Sequence, residues 1–225
     1  MRTEEAAERI ADKIQHLQKE KQRVFVAIDG RCAAGKTTLA HMLQSHFACD
    51  VIPMDSFFLR PEQRTAERYR MPGGNVDYER LQTEVWEPLK KGISFSYRPF
   101  SCALQTLGEP VAVQGEKIII FEGSYSCHPL LWDQYDLHIF LSVDANEQLV
   151  RLEKRDAKKL QAFQEKWIPL EEAYFSAYDI EKRCELSFQI GEVRKQSEAV
   201  AWQKSEVLQE DKTYCDKCGE RIGKA

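Results

Sequence analysis

Residues 30 to 37 read GRCAAGKT, a match to the pattern G-x-x-x-x-G-K-[ST]. Each residue type there has a task. Gly30 and Gly35 let the backbone turn tightly, so that the amides of Arg31, Cys32, Ala33 and Ala34 line a hollow of anion size. The Lys36 ammonium can reach β- and γ-phosphates, and the Thr37 hydroxyl, with Thr38 behind it, can bind Mg²⁺. The stretch follows an apolar run, RVFVAIDG, and opens the helical pattern KTTLAHMLQSHF, the context this motif requires. Residues 30–38 are therefore expected to cradle a nucleoside triphosphate. The sequence contains no N-K-x-D guanine-reading stretch, which favours ATP.

Two acids stand where chemistry on that triphosphate would need them. VIPMDSFF places Asp55 just after a short apolar strand, with Phe57 and Phe58 following. If that strand runs parallel to the one before the phosphate loop, its C-terminal end lies beside the cradle. A carboxylate there can take a proton from an attacking hydroxyl or hold Mg²⁺ through water, with Phe57 and Phe58 walling the site against hydrolysis. Asp55 could instead cap a helix beginning at Ser56. KIIIFEG ends a second apolar run in Glu122, the position of a carboxylate that orients metal or water; a surface acid after a strand is the plainer alternative.

These residues need a frame. The chain has 225 residues, enough for one α/β domain with a substantial core and a small appendage. Its formal net charge is −4 with 30% charged residues, so no global basic field invites nucleic acid. The charged opening lacks a signal peptide, and no run approaches the roughly 20 apolar residues of a membrane span, so a cytoplasmic protein is expected. Ala7, Ile10, Ile14 and Leu17 give an amphipathic first helix. Apolar strands RVFVAIDG, VIPM, KIIIFEG, YDLHIFLSV and ELSFQI alternate with helical patterns, which predicts a parallel sheet covered on both faces. Residues 60–76 read as a long surface loop. Asp77 reads as the N-cap of a helix with Leu81, Val85 and Leu89 on its inner stripe and Gly92 at its end. ISFSYRPF and PVAVQG are expected to pair as a hairpin-like excursion, and DANEQLVRLEKRDAKKL to form a capped, basic helix.

GRCAAGKTT, MDSFF, GGNVDYERL, FSYRPFSC and IIIFEGSYS, followed by DANEQLVRLEKRD and YDIEKRC, occur in an order and spacing that resembles the uridine kinase and phosphoribulokinase family. The resemblance spans roughly residues 20 to 190. It implies an α/β P-loop NTPase fold of three layers, a central parallel sheet with a helical lid over about 147–168, in a domain of residues 1–191. It also implies ATP- and Mg²⁺-dependent phosphoryl transfer to a small-molecule hydroxyl, a nucleoside ribose 5′-hydroxyl first among them. Asp55 matches the family's catalytic base, Asp77 the acid that holds ribose hydroxyls, and Tyr97 an aromatic of the nucleoside pocket. Arg151 and Arg155 match lid arginines. Beside Asp55, the acceptor side includes Phe58 and Glu122. Asp77 could equally serve only as a helix cap, Tyr97 could pack in the core, and the two arginines could pair with Glu147 and its neighbours.

The chain also departs from the family. Cys102, a weak hydrogen-bond partner, stands where uridine–cytidine kinases carry a histidine facing the base. AKKLQAFQEKW replaces their arginine- and glycine-rich segment. Arg60, Arg64, Arg68 and Arg70 crowd the loop before Asp77, either to read an anionic acceptor or as a solvated surface. These differences keep other ribosides, sugar phosphates or vitamin precursors open as acceptors, and a nucleotide-switched binding module as a different class. Residues 192–225 are read as a C-terminal helix followed by a tail with Cys215 and Cys218 in C-x-x-C spacing. Zinc needs four ligands, so a Zn²⁺ site would require a homo-oligomer joining two tails; a tail with two free thiols is preferred.

Overall fold

The structure, a computed structural model, describes residues 1–191, and the expected C-terminal helix and the thiols of Cys215 and Cys218 lie outside the described residues. In chain order, α1 (Thr3–Glu20) leads to β1 (Val24–Gly30), α2 (Lys36–His46) and β2 (Cys49–Pro53). A 3₁₀ turn at Met54–Phe57 and a second at Pro61–Gln63 precede α3 (Ala66–Arg70). Then α4 (Tyr78–Leu81) continues through a π turn, Gln82–Trp86, into α5 (Glu87–Lys91). The excursion follows as β3 (Phe95–Tyr97), β4 (Phe100–Ser101), β5 (Thr106–Leu107) and β6 (Val111–Val113). After it come β7 (Ile118–Glu122), α6 (Pro129–Trp132), β8 (Leu137–Val143) and α7 (Ala145–Asp156). The chain passes through α8 (Leu160–Ala162) and a π turn (Phe163–Trp167) to α9 (Ile168–Ala177), α10 (Ile180–Arg183) and β9 (Leu186–Ile190).

The main sheet has five strands in the order β2-β7-β1-β8-β9, all parallel. Alternation along each strand feeds two cores. Ile118 and Ile120 join Val26, Ile28 and Ile139 on the face covered by α1 and α2. Ile119 and Phe121 join Ala27 and Phe140 on the other, beneath Leu81, Val85, Trp86 and Leu89 of the helix over residues 78–91 and Tyr174 and Phe175 of α9. Strands buried on both faces read as continuous apolar runs, which is why KIIIFEG was legible without any period. The Trp86 ring stacks on Phe121 at 4.5 Å and 8°. Among the described residues, no helix is long and apolar enough to cross a membrane.

Three expectations change. The second strand is parallel to the first but not beside it: β7 lies between β1 and β2, so Glu122 flanks the phosphate loop directly and Asp55 stands one strand further out. The loop over residues 60–76 is on the surface only as far as Pro72. Gly73, Gly74, Asn75 and Val76 are buried, and Arg68 fastens them by donating to the carbonyls of Gly74 (3.2 Å) and Val76 (2.8 Å) while pairing with Glu79. Arg68 is therefore a structural residue rather than a reader of an anionic acceptor. Phe57 does not wall a cavity; it is fully buried, with the Tyr97 ring at 5.2 Å and the Arg80 guanidinium over its face.

His128 anchors the same region. Its ring packs against Tyr78, Tyr174 and Tyr178, and Nδ1 accepts from the Leu130 amide. Burial drives its pKa down from 6.5 to about 4. The folded form thus resists protonation that the unfolded chain accepts, and stability is lost as pH falls from 6.5 towards 4. The loss should reach about 3 kcal/mol. In His128→Asn, which retains a capping oxygen but cannot titrate, that increment should vanish. Urea unfolding of both proteins at pH 7 and pH 4.5 measures it; parallel losses would refute the assignment.

Candidate active site

The phosphate loop is shaped by what surrounds it. At Gly30, φ is +130° and an added Cβ would lie 2.0 Å from the Leu141 carbonyl oxygen, so only glycine allows β1 to turn there against β8. Gly35 adopts φ +98° and hands the chain to α2, whose first-turn amides have no intrahelical partners. Lys36 is buried and donates to the carbonyls of Gly30 (2.6 Å) and Arg31 (3.0 Å) and to the Ser124 hydroxyl (3.3 Å). The ammonium is therefore stationed at the base of the loop.

Thr37 and Glu122 meet: the Thr37 hydroxyl lies 3.2 and 3.3 Å from the two carboxylate oxygens. Burial raises the Glu122 pKa, Lys36 pulls it back, and the Asp55 charge adds to the rise. Glu122 is 6% exposed, so the plainer reading as a surface acid fails. A hydroxyl and a carboxylate in contact at the cradle's edge form the hard-oxygen set that Mg²⁺ prefers.

Asp55 lies inside the 3₁₀ turn rather than at its cap, and among the described residues its carboxylate accepts no hydrogen bond. The capping alternative therefore does not hold. The residue is exposed. Desolvation of its carboxyl raises its pKa, while the charges of Lys36 and Arg155 pull it down. Arg80 fixes the turn that carries Asp55: 7% exposed, its guanidinium donates to the Ser56 carbonyl and to the Arg98 carbonyl (2.7 Å). Phe58 is partly exposed and bridges to Val76.

Other expected residues divide. Tyr97 is 4% exposed and packs in the core beneath the turn, against the Phe57 ring. Asp77 caps α4 through the Arg80 amide (3.0 Å), and its second oxygen accepts from the Gln63 side chain at 2.8 Å. The cap is thus realised, and a ribose would have to compete with Gln63. Arg151 pairs with Glu147 and donates to the Ala33 carbonyl at 3.1 Å, serving the phosphate loop directly. Arg155 makes no ion pair among the described residues and rests over Phe163 at 5.2 Å. Cys102 stands exposed after β4; burial of its thiol and the nearby Asp55 both raise its pKa, against Arg64 and Lys159.

Sequence reasoning missed Asp29. It is fully buried, accepting from the amides of Gly30 (2.7 Å), Tyr125 (3.0 Å) and Cys127 (2.9 Å) and from the Tyr174 hydroxyl (2.8 Å). Burial still pushes its pKa up to about 6. Asp29 ties the segment after β7 to the root of the phosphate loop. A lone acid inside VFVAIDG was the available signal.

No family model matches the chain. Two uridine kinases are similar in sequence. The one from Clostridium perfringens is 26% identical over 146 residues, 60% of this chain and 69% of that protein. The one from Halobacterium salinarum is 27% identical over 140 residues, 58% of this chain and 61% of that protein. Among solved structures, a possible uridine kinase from Bacillus stearothermophilus superposes with a TM-score of 0.59 at 19% identity, covering 80% of this chain and 99% of that one. This is the P-loop kinase fold. YFH7 from Saccharomyces cerevisiae, described as a candidate P-loop kinase with a circular permutation, gives 0.58 at 13% identity, covering 83% and 99%. The chain thus resembles uridine kinases in sequence and shares the P-loop kinase fold, with β1 and α2 flanking the loop.

Proposed function

We propose that this chain is an ATP- and Mg²⁺-dependent small-molecule kinase, transferring a γ-phosphate to an alcohol, with a nucleoside ribose 5′-hydroxyl as the leading acceptor. The observation that carries this reading is the exposed Asp55 carboxylate, which accepts no hydrogen bond among the described residues and feels the charges of both Lys36 and Arg155. A nucleotide switch has little use for such a base; a kinase needs one. Asp55 takes the proton of the acceptor hydroxyl. Lys36 and the loop amides hold the β- and γ-phosphates, and Arg155 closes on the transferring group. Thr37 and Glu122 would hold Mg²⁺, which when bound neutralises triphosphate charge. Arg80 and Tyr97 keep the Asp55 turn in place.

A second acceptor class has its own support. Arg64, Lys159 and Asp55 all lie within electrostatic reach of Cys102, so an acceptor bearing an anionic group would find cations there. The test is a panel of nucleosides, sugar phosphates and vitamin ribosides assayed for ADP release with the full chain, ATP and Mg²⁺, and mass spectrometry of the product. Turnover that rises with one acceptor supports the kinase. Slow hydrolysis indifferent to every acceptor would favour the switch.

A further inference from the structure

The first half of the phosphate loop is gripped from behind by α9. The Cys32 amide donates to one Glu171 carboxylate oxygen at 2.9 Å, and the Ser124 hydroxyl donates to the other at 2.6 Å. Ser124 in turn accepts from Lys36 at 3.3 Å. The direction of this chain is dictated by chemistry. A carboxylate only accepts, an ammonium only donates, and a hydroxyl is the one group of the three that does both. With its proton given to Glu171, Ser124 presents a lone pair to Lys36.

Glu171 is 5% exposed. A buried carboxylate beside a hollow built for anions opposes the ligand's charge, and an apolar residue would pack there at lower desolvation cost. Its neighbour differs: Glu172 is partly exposed and pairs with Arg31, a contact that holds the loop without touching Lys36. Gln148 holds the Cys32 carbonyl at 2.9 Å, so the turn at Cys32 is fixed from both α7 and α9.

We infer that Glu171 is a positioning residue for the γ-phosphate end of the nucleotide, setting Lys36 through Ser124 and the loop's turn through the Cys32 amide. The inference rests on the nucleotide reading above and deepens it. Lys36 reaches the β- and γ-phosphates, so a misplaced ammonium weakens ATP more than ADP. A general loosening of the loop would weaken both alike.

The test uses the full chain and measures ATP and ADP affinities with Mg²⁺ by titration calorimetry, needing no acceptor. Ser124→Ala and Glu171→Gln should each lower ATP affinity about tenfold and ADP affinity less than about threefold, the scale of a lost hydrogen bond to a charged group. Because the residues act in series, the double variant should be no weaker than the weaker single. Glu172→Gln should change both nucleotides in the same ratio. Should Glu171→Gln fail to fold, Ser124→Ala carries the same prediction alone. An unchanged ATP-to-ADP ratio in Ser124→Ala, or additive losses in the double variant, would overturn the inference while leaving the kinase reading intact. A native protein that binds neither nucleotide would overturn both.

Discussion

Asp55→Asn should bind ATP within about threefold of the native protein and transfer phosphate about 10²–10⁴-fold more slowly, the scale of a lost general base. Asparagine keeps the size and leaves the backbone of the 3₁₀ turn unchanged. Because the native carboxylate accepts no hydrogen bond among the described residues, its replacement orphans no donor. The effect therefore belongs to the reaction and not to the fold. A pH dependence follows as well. Burial raises the Asp55 pKa above the ordinary carboxylate value, so the acid limb of the native rate profile should lie above the usual carboxylate range. The base works only when deprotonated, so activity falls as pH drops through that pKa, and the residual activity of Asp55→Asn should lack this limb. Coupled ADP release against pH, with an acceptor taken from the panel, measures both. Full turnover by Asp55→Asn would remove this carboxylate from the mechanism.

The sequence made the sheet and the phosphate loop legible because their signals are local. Apolar runs mark buried parallel strands, and the glycines of GRCAAGKT mark a turn that only they can make. Strand order was not local. That β7 inserts between β1 and β2 depends on which edges pair after the chain has made its excursion through β3–β6. The same limit applied to side-chain networks. Asp29, Ser124 and Glu171 are separated by up to 142 residues in sequence yet act on one loop, and no spacing rule reaches that far. Phe57 misled for a related reason: an aromatic next to a candidate base has two faces of the backbone to choose from. The Arg80 guanidinium over its ring shows that the core was chosen. Asp77 was a question of competition, and the α4 cap and Gln63 engage both of its oxygens.

Arg151 and Arg155 share one helical face four residues apart, yet their replacements should separate sharply. Arg151 is committed: it pairs with Glu147 and donates to the Ala33 carbonyl, so Arg151→Met should loosen the loop and weaken ATP by about tenfold at most. Arg155 has no carboxylate partner among the described residues. Its guanidinium lies against Phe163, a contact worth about 0.5–1 kcal/mol at an exposed site, which a developing phosphoryl charge can outbid. Its charge also lowers the Asp55 pKa, so it acts within electrostatic reach of the proposed base. Arg155→Met should therefore lower the transfer rate about 10²–10³-fold with ATP affinity changed less than about threefold. Lys166 lies 4.6 Å over the Tyr69 ring of α3, a contact that neither substitution removes, so the comparison isolates the guanidinium. Single-turnover transfer measured beside ATP affinity separates the two effects. If Arg151→Met slowed transfer as much as Arg155→Met at saturating ATP, the assignment of the lid arginine to residue 155 would be wrong.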